Sequence, residues 1–160
     1  MPLSQIHYHF GTKKKMVLAI LTRQNEELLQ RQEAMFHTEN PLWMRWEKAC
    51  DYLDDDLESG YVRVLQEMMA AGWSDPEIAG EVRGLLTGWI KLLKGVIEAS
   101  ESAFSGFAPF NSTELASMVG ILFLGVESGI LLGLESQEKP LRNALRKIGY
   151  VIRIAEERPS

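Results

Sequence analysis

Apolar residues recur along most of this chain at steps of three and four. After Ser74 they stand at Ile78, Val82, Leu85, Trp89, Leu92 and Val96, one stripe of a long helix. Leu141, Leu145, Ile148, Ile152 and Ala155 repeat the spacing near the end and predict a helix from Pro140 to about Glu156. Punctuation sets the other bounds. A short helix is expected from Pro2 to Phe10, ended by Gly11, and a second from Lys13 to Phe36 with Thr12 as its cap. Asn40-Pro41 opens a helix to about Ser59, Gly60 breaks it, and Tyr61 to Trp73 forms the next. Ser74 to Glu77 reads as a cap followed by proline. Residues 105 to 112 read as a loop. Asn111 with Glu114 three residues on predicts a capping box opening a helix to about Leu134. No Asn-Gly or Asp-Gly hairpin signal occurs. The expected fold class is all-α.

The segment Leu115 to Leu134 is apolar almost throughout and is long enough to span a bilayer. Glu127 well inside it and the acidic flanks Glu114 and Glu135 argue against lipid. The segment is expected to be buried nearly all round, with no membrane as partner. Gly125, Gly129 and Gly133 repeat every four residues and clear a face for close approach. With Leu141, Leu145, Ile148 and Ile152 of the last helix, they are the expected homodimer interface.

Composition changes the picture in one respect. Of the 160 residues, 46% are hydrophobic and 24% charged, ordinary for a globular chain. The single cysteine, Cys50, excludes an internal disulfide and fits a cytoplasmic location. No signal peptide is expected at the start. Net charge is −5, which speaks against a protein that coats nucleic acid indiscriminately. Residues 1–25, however, hold Lys13, Lys14, Lys15 and Arg23 and no acid, a net +4 that leaves −9 on the rest. Three lysines at an expected helix start have the wrong sign for its dipole unless an anion joins them. A nucleic-acid phosphate is such an anion.

The stretch "IHYHFGTKKKMVLAIL", residues 6 to 21, resembles the end of the DNA-binding domain in the TetR family of transcriptional regulators. Ile6, His9, Phe10 and Lys13 match that family's pattern, and His7 stands where the family usually has tyrosine. "DPEIAGEVRGLLTGW" is similar to the start of a helix in many of its ligand-binding domains. The resemblance implies a TetR-like helical bundle. Residues 1–36 would be the end of a helix-turn-helix domain with its connecting helix, and 37–160 a ligand-binding and dimerisation domain. Leu3, Ser4, Gln5, Tyr8 and His9 would face the major groove of operator DNA, His7 and Lys13 would hold phosphates, and Ile6 and Phe10 would anchor the recognition helix. By analogy with the family, roughly forty residues carrying two earlier helices would precede Met1. The expectation is that this chain alone binds its operator poorly.

Large soft side chains gather in the middle helices. Trp43, Trp46, Tyr52, Met68, Met69, Trp73 and Trp89 are the expected lining of an effector pocket for flat apolar or cationic molecules. Glu127 needs a partner there: a polar pocket end, a basic residue or the other subunit. The acids around Asp54, Asp55 and Asp56 point in different directions on a helix and are expected to be a solvated face, not a metal site. His7 and His9 fall on different faces as well. No phosphate loop or nucleophile elbow is found, and Cys50 has no evident base, so no cofactor, metal or enzymatic activity is expected. The reading is a ligand-responsive, DNA-binding transcriptional regulator, by family default a repressor, acting as a homodimer. The alternative is a dimeric helical ligand-binding module without DNA binding, or a truncated form that titrates full-length subunits.

Overall fold

The computed structural model describes residues 3–36, 39–104 and 106–157, with side chains described from Lys13 onward. Its helices are α1 (Leu3–Phe36), α2 (Leu42–Glu58), α3 (Tyr61–Gly72), α4 (Pro76–Ser100), α5 (Ser112–Leu131) and α6 (Pro140–Glu156), with a 3₁₀ turn over Glu101–Phe104. Among the described residues there is no strand, and the chain is an all-α bundle.

Two starts follow their sequence signals. The Asp75 carboxylate accepts from the amides of Glu77 at 3.0 Å and Ile78 at 3.3 Å, with Pro76 in the first turn. Asn111 and Glu114 form the reciprocal capping box at 2.9 Å each way. Such caps contribute about 1 kcal/mol apiece. α2 differs from expectation. Pro41, not Asn40, precedes its first turn, and no local side chain caps it. The Glu156 carboxylate at the end of α6 accepts from Leu42 and Trp43 amides at 2.9 and 3.3 Å instead. A cap supplied by another helix leaves no local pattern.

Gly11 does not end a helix. α1 runs through it, so Thr12 is no cap and the three lysines lie well inside the helix. An interior glycine costs about 1 kcal/mol relative to alanine, too little to break a helix hydrogen-bonded on both sides. Lys13 therefore meets no helix-start dipole. At the other end, α5 stops at Leu131. Gly133 lies beyond it at φ +76°, with its amide on Ile130 O and the Leu134 amide on Gly129 O, both 3.0 Å. This is the left-handed close that favours glycine. Gly133 is thus a stop signal and not part of a helical glycine stripe.

The helices pack as two antiparallel pairs, with α1 and α3 against their open ends. α2 and α6 run antiparallel, joined by Trp46 Nε1 donating to Leu145 O at 2.8 Å and by Arg142 donating to Asp54 at 2.6 Å. α4 and α5 run antiparallel, with Gly120 against Ile90 and Ser112 donating to Glu98 at 3.0 Å. Two cores result. One joins α1, α3, α4 and α5 around Leu21, Val62, Leu65 and Val82. The other joins α2, α5 and α6 around Cys50, Leu53, Phe123 and Leu145. α5 is the one described helix long and apolar enough to cross a membrane by length and composition, and 39% of its most apolar window is buried within the chain.

Candidate functional site

The two antiparallel pairs diverge. α5 and α6 meet where Leu141 Cδ1 reaches the space over Gly129, so close that an added Cβ would stand 2.9 Å from it. Toward the start of α5 and the end of α6 they separate around a cavity of about 790 Å³. Trp46 and Ala49 of α2, Val96 and Ile97 of α4, Val119 of α5 and Ile152 of α6 line it. Phe104 and Phe107, 5.2 Å apart between ring centroids, close one end from the loop after α4. Met118 and Ile121 of α5 form its exposed lip. The size falls within the roughly 300–1,000 Å³ of small-molecule sites, and so does the almost wholly apolar lining.

Behind this cavity lies a second, inner chamber of about 50 Å³. The two share Phe36, Ala49, Leu93 and Phe123 as walls. Phe123 is the central partition, edge-on to Trp46 at 5.5 Å and to Trp89 at 6.1 Å. The chamber's walls are mostly apolar too, but polar groups stand among them. Asn25, Gln32, Asp56, Tyr61, Trp89 and Glu127 face it. Most of these groups are satisfied: Tyr61 OH donates to Asn25 Oδ1 at 3.1 Å, and Trp89 Nε1 to Gln32 Oε1 at 2.8 Å. Arg31 holds both Asp56 oxygens at 2.8 and 2.9 Å while stacking 4.0 Å over the Tyr52 ring.

Glu127 is the exception. Its one hydrogen bond among the described residues is a long one, 3.4 Å from Gln66 Nε2. Gln66 is otherwise committed, donating to Leu124 O at 3.1 Å and accepting from Ser128 at 2.7 Å. No basic side chain pairs with Glu127 among the described residues. Burial pushes its carboxyl up to about 7, the Gln66 bond opposes this, and the Asp56 charge adds to it. Asp56 is itself raised by burial, against the pull of Arg31. Burial, then the charges of Glu127 and Asp56, also raises the Tyr61 phenol. Of the three partners open to Glu127, a polar pocket end is the one the chamber supplies.

Of the expected pocket residues, Trp46 lines the outer cavity and Trp89 the chamber. The others lie elsewhere. Met68 and Met69 pack against the first core, Tyr52 lies under Arg31 and Lys48, and Trp43 under Arg153. Trp73 is 87% exposed at the α3–α4 turn. Side-chain size marks these residues in the sequence, but position on the helix decides which way each points. Phe36, Phe104, Phe107 and Phe123 are lining that the sequence reading misses. Asn25 and Gln32, seven apart on α1 and in line with Leu18, Leu21 and Leu28, carry a readable signal: polar residues on an apolar stripe.

The side chains of Leu3, Ser4, Gln5, His7, Tyr8 and His9 lie outside the described residues, whose backbone there is helical. Lys13 and Lys15 are exposed. Lys14 turns inward to Asp75 Oδ2 at 2.7 Å and Glu77 Oε2 at 2.6 Å. The acidic run is solvated at Asp51 and Asp55, as expected, but most of its acids are also paired. Asp51 and Asp54 pair with Arg146, Asp54 also with Arg142, and Asp56 with Arg31; Asp55 is exposed. Arg142 also pairs with Glu135. Among the described residues no group of His, Cys, Asp and Glu is placed to hold a metal ion.

The stripe expected at a dimer interface packs within the chain. Leu145 is buried, Leu141 and Ile148 pack beside it, and Ile152 lines the cavity. α2 has its own apolar face to cover, and α6 covers it. Gly129 is filled by Leu141, whereas Gly125 is exposed with nothing near it. The apolar residues left outside are a different set: Ile121 at 65% exposure on α5, and Tyr150 and Val151 at 64% each with Ile154 on α6. Comparison with known proteins finds no matching family model, curated protein or solved structure.

Proposed function

We propose that this chain is the effector-binding and dimerising part of a ligand-responsive transcriptional regulator that acts on operator DNA as a homodimer. The observation that carries this reading is the apolar cavity of about 790 Å³ backed by a small chamber that holds polar groups. A cavity of that size between two helix pairs is a place where a ligand changes how the pairs sit. The ligand shifts that equilibrium by its differential affinity for the two arrangements. α4 lines the cavity with Val96 and Ile97 and at its other end holds α1 through Asp75 and Lys14. Movement of α4 is therefore passed to the helix that carries the "HYHFGTKKK" segment. The outward apolar residues of α5 and α6 supply a surface for a second copy.

The test uses the protein in its source cells. A tag after Ser160, crosslinking and recovery of bound DNA should enrich a near-palindromic site, with occupancy that changes when the effector is supplied. Sedimentation of the purified chain should give a dimer. A dimer that binds small molecules but enriches no DNA would leave the ligand-binding module without DNA function as the correct reading. A monomer with an unresponsive cavity would dismiss both.

A further inference from the structure

We propose that the ligand of this cavity is an apolar molecule ending in a small protonated amine, its tail in the outer cavity and its nitrogen in the inner chamber against Glu127. This rests on the reading of the outer cavity as a small-molecule site and adds the chemistry of the occupant.

Charge selects the head group. Two carboxylates, Asp56 of α2 and Glu127 of α5, face the chamber. Arg31 of α1 is committed to Asp56 through both oxygens. The other elements packed around Glu127 bring Gln66 and Tyr61 from α3, Asn25 and Gln32 from α1, and Trp89 from α4, none of them a cation. Among the described residues the chamber therefore holds an acid without a counter-charge, beside two aromatic rings. A carboxylate in that setting is costly unless paired, and an ammonium would pair it. An anionic head group would meet the Glu127 charge with no cation in the chamber's lining.

Size narrows the class. About 50 Å³ is more than the roughly 10–15 Å³ that one water needs and well under the roughly 150 Å³ of a cavity that holds benzene, so it suits a small head better than a ring or a bulky quaternary group. A primary ammonium fits. The tail meets almost only apolar surface in the outer cavity, where Val96, Ile97, Val119 and Ile152 stand, although Arg45 and Ser117 are part of its wall. Phe36, Ala49, Leu93 and Phe123 stand between the two spaces, and occupation of both by one ligand requires side-chain rotation there, a common adjustment on binding.

Octylamine, octanol and octanoate share one tail and differ in the head. Their binding to the full chain can be followed by tryptophan fluorescence, because Trp46 lines the outer cavity and Trp89 the chamber. At about pH 8 octylamine is expected to bind tightest and octanoate weakest. Glu127→Gln should weaken octylamine by about 10- to 100-fold, the worth of a hydrogen bond to a charged group, and leave octanol within about twofold. Lowering the pH to about 6 neutralises Glu127 and should weaken octylamine in the wild type by about tenfold, with no such loss in the variant. Equal binding of octylamine and octanol, or an octylamine affinity indifferent to Glu127→Gln, would overturn the amine assignment and leave the cavity reading intact. Octanoate binding tightest would do the same. Failure of all three to bind would remove the small-molecule reading itself, and the amine with it.

Discussion

The first core and the cavity half of this molecule are built from the same kind of helix and end differently. Around Leu21, Val62 and Leu65, three helices converge with α5 and leave only the small chamber that Leu65 and Leu124 border; Leu21 is 0% exposed. Around Phe123 the helix pairs part, and side chains of the same types line about 790 Å³ of space. Apolar content does not separate the halves. The number of helices that converge does: α1 and α3 close one end, whereas among the described residues only the loop after α4 covers the other. The first half buries its apolar side chains, and the second keeps surface that a ligand can bury.

Truncation should expose that difference most strongly in the closed half. Leu21→Ala leaves a void with no route for neighbours to fill it and is expected to destabilise by roughly 3–5 kcal/mol. Urea unfolding would measure it. Octylamine should still bind the folded fraction unchanged, since Leu21 lines neither the cavity nor the chamber. A loss under about 1 kcal/mol would mean that the core around Leu21 is not closed.

The next effect has the opposite sign and belongs to the open half. Glu127 has a raised pKa in the fold, so folding favours its protonated form. That contribution is complete below the ordinary carboxylate range and is lost as pH rises through about 7. At about pH 8 the buried charge costs roughly 3 kcal/mol, taking the shift from 4.5 to about 7. Glu127→Gln should therefore be more stable than the wild type at pH 8, and the two should converge toward pH 4. Asp56 is raised in the same direction and is common to both proteins, so the difference between their pH profiles reports Glu127 together with its coupling to Asp56. A variant less stable than wild type at pH 8 would mean that the carboxylate has a cationic partner already.

How much of this is legible in the sequence follows from where each signal sits. Asp75, the Asn111–Glu114 pair, Pro140 and the Ile78–Val96 stripe act within a turn or two of their own position, and their helices stand where expected. The all-α class follows from them. Interactions between distant residues leave no local trace. Glu156 caps α2, Arg142 and Arg146 neutralise the acidic run, and Leu141 occupies the space over Gly129. Glycine carries two meanings that spacing does not separate: a helix absorbs it at Gly11 and ends before it at Gly133. Glu127 is the most informative residue, because an acid inside so apolar a segment is costly wherever the segment is buried, and something must offset that cost.

The smallest expected effect concerns the link from the cavity half to α1. In the sequence Lys14 stands among cations that await a phosphate; within this chain its anions are Asp75 and Glu77. Asp75 serves two helices at once, with Oδ1 on the α4 amides and Oδ2 on Lys14. The Lys14 ammonium, followed by the Ile78 amide, holds the Asp75 carboxyl below its ordinary value. Its contribution is thus present above the ordinary carboxylate range and is lost as pH falls through that depressed value. Lys14→Met should shift the onset of acid unfolding to higher pH while leaving octylamine binding untouched. It should also flatten the dependence of stability on salt, because screening shortens from about 10 Å at 0.1 M to about 3 Å at 1 M and weakens exposed pairs first. An unchanged salt slope would mean that the pair does not hold α1 to α4. The route proposed from cavity to N-terminal segment would then have to run through other contacts of these two helices, such as Trp89 on Gln32 at 2.8 Å and Leu29 beside Gly88.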